Sequence, residues 1–149
     1  MSKNTTFYAI SGHANVGVEL AFASGVLAQT LIKAPEEGII VKSINVSSLD
    51  TADRMIELSV LDKAGTKTYV LGTFDIPLYA GNYTILALIP SVNLLDSAVI
   101  AGLEKDISGN NIIKLGDGCT LQVRIVDTAI TSPLTISVYC SYDELKAVV

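Results

Sequence analysis

The sequence predicts an all-β protein, an antiparallel β-sandwich of jelly-roll or Ig-like type with a short inserted helix. Three observations carry this. Apolar and polar residues alternate in run after run, the period of strands with one buried face. Turn signals built from Gly, Asp and Pro separate the runs at short intervals. The 149 residues are 50% hydrophobic with a mean hydropathy of +0.49, enough apolar material for one domain with a real core.

In residues 1–27 the apolar side chains Phe7, Tyr8, Ile10, Val16, Val18, Leu20 and Phe22 follow no strict period. They read as an N-terminal extension or arm with one or two strands, lying on a neighbouring subunit. Residues 28–149 then form the sandwich. "AQTLIK" places a strand near residues 28–33, and a turn follows at Pro35–Gly38. In the next strand Ile40, Ile44 and Val46 share one parity, and Ser43, Asn45 and Ser47 share the other. Lys42 is a polar exception on the apolar side. After that, Ile56, Leu58 and Val60 form a buried face, with Met55, Glu57, Ser59 and Leu61 opposite. "DKAG", Asp62 to Gly65, closes a short hairpin: Asp favours the first turn position and Gly accepts positive φ.

Residues 91–106, "SVNLLDSAVIAGLEKD", break the alternation. Leu95, Ala98, Val99 and Leu103 stand at helical spacing, with Asn93 suited to cap the start and Asp96 to the first turn. They predict a short helix between strands, weakened by Gly102. "GDG" at Gly116–Gly118 is a tight turn into the alternation Cys119, Leu121, Val123, Ile125. A second alternation runs Leu134, Ile136, Val138, Cys140. The link "DTAITSP" reads as a hairpin connection whose Pro133 is barred from mid-strand. The total is about eight to ten strands, as in a sandwich or barrel.

Composition narrows the function. The net charge is −5 and Lys and Arg are scattered, so the basic stripe of a nucleic-acid binder is missing. No apolar run reaches the roughly 18 residues of a spanning helix, and no membrane partner is expected. "MSKNTTFYAISGH" lacks the apolar region of a secretory signal, so the sequons at Asn4, Asn45 and Asn82 are read as chance matches. Cys119 and Cys140 both fall on the apolar phase and read as buried free thiols; a disulfide is left open should their strands align.

No catalytic, cofactor-binding or metal-binding residue is assigned. His13 is the only imidazole, so any Ser-His or Cys-His device must use it, and a two-cysteine metal site lacks further ligands. Its bland reading is an exposed or locally hydrogen-bonded side chain. Asp50 and Asp53 flank a loop and suit turn chemistry better than a cation site. Glu36 and Glu37 sit in a solvated turn, and Asp143 and Glu144 lie in the tail, so no pair marks a general acid and base. Tyr69, Tyr79 and Tyr83 read as packing residues rather than a sugar platform.

The stretches "AQTLIKAPEEGIIVKSINVSS", "FDIPL", "IIKLGDGCTLQVRI" and "ISVYCSYDEL" occur in an order similar to that in small β-sandwich proteins of tailed-bacteriophage particles. Those proteins tend to run "A-x-T-L-(x)-x-x-P-x-G", "V-K-S-I-x-V-x-N", an "I-P" segment and "L-x-x-G-D-x-L-x-V". The chain resembles that group over residues 28–145; residues 1–27 and 91–106 stand outside the pattern. The resemblance implies a non-enzymatic structural protein of the virion, assembled in the host cytoplasm. Its most direct form is a capsid decoration or auxiliary protein that binds the major capsid protein lattice as a homo-oligomer. A neck or tail adaptor, a carbohydrate-binding adhesion module and a small glycan hydrolase are the alternatives. The expected contact surfaces are residues 1–27, the 91–106 insert and the loops near 47–53 and 79–83.

Overall fold

Alternating side chains commit each strand to one buried face, and two sets of such faces meet in one core. The computed structural model describes residues 7–82, 87–96, 100, 102–126 and 129–148. Within them the strands are β1 (Phe7–Ala21), β2 (Gln29–Lys33), β3 (Ile39–Ser48), β4 (Arg54–Leu61) and β5 (Thr68–Ile76). They continue with β6 (Val92–Asn93), β7 (Glu104–Lys105), β8 (Asn111–Leu115), β9 (Thr120–Ile125) and β10 (Thr135–Val148). Sheet A has the order β1-β10-β3-β8-β7, with β6 also on β3; sheet B has the order β2-β9-β4-β5. All pairings are antiparallel.

The predicted sandwich is therefore present. Sheet A sends Ile39, Val41, Ile44, Val46, Ile136, Val138 and Cys140 into the core, and sheet B sends Ile56, Leu58, Phe74, Ile76, Leu121, Val123 and Ile125. The β4–β5 hairpin closes at the expected turn. Asp62 Oδ1 accepts the backbone N–H groups of Thr66 (2.8 Å) and Lys67 (3.2 Å), and Gly65 stands at φ 74°.

Three expectations change. The first concerns the phase of β3. Ser141 pairs with Ser43 and Tyr142 with Val41, so Lys42 is an extra residue without a partner. This bulge turns the side-chain phase. Ile39 and Val41 enter the core on one side of it, Ile44 and Val46 on the other, and Ile40 is only half-buried. The polar exception at Lys42 is thus a break in register.

The second concerns "DTAITSP". Strand β9 pairs with β2 and β4, whereas β10 pairs with β1 and β3. The link crosses between sheets and makes no hairpin. Alternation shows only that both strands bury one face, and two such faces pack equally well from opposite sides of one core.

The third concerns the helix. Residues 97–99 and 101 of the 91–106 segment lie outside the described residues; among the described ones there is a 3-10 turn at Leu94–Asp96 between β6 and β7 and no α-helix. Asn93 does cap, its Oδ1 accepting the Leu95 N–H at 3.2 Å. Leu94 and Leu95 are buried within that short turn, and Gly102 stands at φ 72°, outside the helical region.

Two substitutions test this packing. Ile56→Ala removes a fully buried side chain between the sheets and is expected to cost about 2–5 kcal/mol in urea unfolding. Gly38 has φ 87°, and a Cβ there would meet the Leu115 carbonyl oxygen at 2.7 Å. Gly38→Ala is expected to cost at least about 1–3 kcal/mol by the same measurement.

Candidate functional surfaces

The single imidazole lies where three strands converge. His13 is directly opposite Asp143 in the β1–β10 ladder, and its Nδ1–H donates to Asp143 Oδ1. Lys42 Nζ approaches the other carboxylate oxygen at 3.5 Å. The Asp143 side chain is 3% exposed and that of His13 71%. Both strands flanking Asp143 bulge beside it, β1 at Ser11 and β3 at Lys42. These bulges bring a base from each neighbour onto one buried carboxylate, which satisfies a charge that would otherwise be costly.

This cluster pins β10 to its neighbours and lacks a nucleophile. Among the described residues no serine or cysteine is hydrogen-bonded to His13; the Ser141 hydroxyl donates to Asn15 Oδ1 at 2.8 Å. Cys140 lies on the opposite face of β10, fully buried, and burial pushes its thiol up to about 12. Cys119 and Cys140 are both free.

A second cluster lies at the other end of sheet A, where the expected loops 47–53 and 79–83 interlock; Tyr83 lies outside the described residues. Ser48 N–H donates to Ala80 O (2.8 Å), Tyr79 N–H to Asp50 O (3.2 Å), and the Asn82 amide to Ser48 O (2.9 Å). Asp50, fully buried, holds the centre. Its Oδ2 accepts Arg54 Nε–H (2.8 Å) and the Thr131 N–H (3.1 Å), and its Oδ1 accepts the Ala52 N–H (3.3 Å). Asp53 points elsewhere and accepts the Leu78 N–H at 2.9 Å. The two carboxylates therefore serve separate turns, and a cation at Asp50 would have to displace a guanidinium.

The remaining carboxylates are dispersed. Glu36 and Glu37 are exposed in the Pro35–Gly38 turn, and Glu57 makes a two-point pair with Arg124 across β4–β9 (2.9 and 3.0 Å). Among the described residues no group of three His, Cys, Asp or Glu could hold a metal ion. Tyr69 and Tyr139 are both exposed but stand on different sheets. The two polar clusters have no signature in the sequence. Their partners are up to 130 residues apart, and no local spacing joins them.

No protein-family model matches the chain, and no curated protein matches it. Among solved structures it is similar to a chain in the acidic stable capsid structure of Helicobacter pylori bacteriophage KHP30. That likeness has 11% identity and a TM-score of 0.48, covering 97% of this chain and 99% of that one. It is also similar to a chain of the cyanophage Pam1 capsid asymmetric unit, with 16% identity and a TM-score of 0.42, covering 97% and 89%. At these identities and scores neither likeness carries a functional conclusion to this chain.

Asp50 makes a pH prediction. Burial acts to raise its carboxyl, but the bonds from Arg54 and Thr131 outweigh it and hold the group below its ordinary 3.8. A carboxylate depressed in the folded state adds stability above its unfolded value, near pH ~4, and loses it as pH falls through the folded value. Asp50→Asn takes the carboxylate from a buried guanidinium and is expected to cost about 3–5 kcal/mol near neutral pH. The gap between variant and wild type should narrow as pH falls below ~4, read by urea unfolding across that range.

Proposed function

We propose that this chain is a structural protein of a phage virion that acts by binding and performs no catalysis. Its place in the particle is the capsid surface, where it decorates the shell by bridging major capsid subunits. The observation that carries this is the resemblance over residues 28–145. The stretches that bear it fall in order on β2 and β3, the end of β5, β8 and β9, and β10, so they trace both sheets of the sandwich. The surface is compatible. The polar clusters are matched internally and hold loops and strands in place. Several exposed apolar side chains lie at strand ends and links, Ile10 and Val148 at the far tip of β1–β10, Val26 and Leu27 ahead of β2, and Leu49 and Leu88, while Met55, Tyr69, Val70 and Tyr139 lie within strands. Apolar groups left at the rim of a rigid sandwich suit burial against neighbouring subunits. Residues 1–27 contribute to that contact as the N-terminal extension.

The test is the copy number of this protein in purified particles of the phage that encodes it, by quantitative mass spectrometry against the major capsid protein. A ratio commensurate with the capsid lattice is the expected result. A small ring-like number moves the protein to the neck or tail, and absence from the particle overturns the virion role.

A further inference from the structure

The edges of the two sheets are not alike. Strand β7 has two residues; β2 has five and an irregular register between Thr30 and Ile32. Strand β5 is broken in register at Leu71 and carries Asp75. Short length, bulges and charge are the usual means of keeping an edge from pairing. Strand β1 is the exception. It has 15 residues, and beyond its bulge at Ser11 the pairs from Gly12 to Ala21 follow β10 without a break. It contains no Pro, Lys or Arg, and its ionisable side chains are His13, Glu19 and Tyr8. Among the described residues no strand lies on its outer side.

We propose that β1 is paired by β1 of a second copy, antiparallel, about a two-fold axis at Val16. Identical antiparallel neighbours are related by a two-fold axis perpendicular to the sheet, so the contact closes at two chains. Directly opposed residues must then have the same parity, which keeps core face with core face. Among such registers, centring on Val16 places His13 opposite Glu19 of the partner subunit, and does so twice. Centring one residue earlier or later leaves Glu19 only diagonal to the imidazole, a longer approach than direct opposition, and centring on His13 opposes two like side chains. The same register opposes Val16 with the partner's Val16 and Ala14 with the partner's Val18 on the half-buried face. His13 is held at Nδ1 by Asp143, which orients the ring without using its other nitrogen. The pairing of His13 with Glu19, the opposed small apolar side chains and an unblunted edge thus select one occupant.

The inference stands apart from the virion role, which the particle copy number tests separately. Sedimentation equilibrium of the wild type is expected to show a dimer. Val16→Cys places two thiols face to face across the axis and is expected to oxidise almost completely to a covalent dimer. Val18→Cys opposes Ala14 and is expected not to, and oxidised wild type reads the background from Cys119 and Cys140. Glu19→Lys removes the acceptor opposite each imidazole and sets a second donor there, and is expected to weaken the dimer about tenfold. A wild-type monomer at about 100 μM, or any assembly in which Val16→Cys fails to cross-link while folded, overturns the proposal.

Discussion

Strand β10 is hydrogen-bonded on both sides, to β1 along its whole length and to β3 from Ile136 to Glu144. That double ladder joins the two ends of the chain, because β1 and β10 are the first and last strands. It also sets where the surfaces lie. Toward Thr135 it meets the interlocked loops around Asp50. Toward Val148 it runs past β3 as a two-stranded ribbon whose exposed apolar residues have no cover within the described chain. A free two-stranded ribbon is marginal in water, so its order rests on the ladder behind it.

Asp143 is the point where this ladder is most demanding. A carboxylate on the solvent-side parity of β10 would ordinarily be exposed. Here the bulges at Ser11 and Lys42 fold its neighbours over it, and His13 and Lys42 supply the matching groups. Asp50 solves the same problem at the opposite end with a guanidinium and backbone donors. In both places buried charge fixes the geometry of irregular backbone. Desolvation offsets much of the attraction in such pairs, whereas removing one partner strands the other in a buried site.

These clusters tie up the ionisable side chains that the sequence singles out. The groups that look reactive in isolation each have a structural partner, and the nucleophilic thiol of Cys140 is sealed in the core. What remains exposed is strand edge, ribbon tip and loop, the features by which sandwich domains associate.

The sequence by itself determined the all-β class, most strand positions, the β4–β5 turn and the core residues of β4, β9 and β10. These follow from alternation and turn chemistry, which act between near neighbours. Only the tertiary structure decided which sheet each strand joined. The pattern of Leu121, Val123 and Ile125 is the same whether β9 pairs with β10 or faces it across the core. It also decided the phase of β3, because a bulge at Lys42 exists only against a partner strand. It likewise set Leu94–Asp96 as a 3-10 turn against β3, with Leu94 and Leu95 in the core. The roles of Asp50, His13 and Asp143 came from contacts between residues far apart in the chain, where charge is matched in space and leaves no spacing to read.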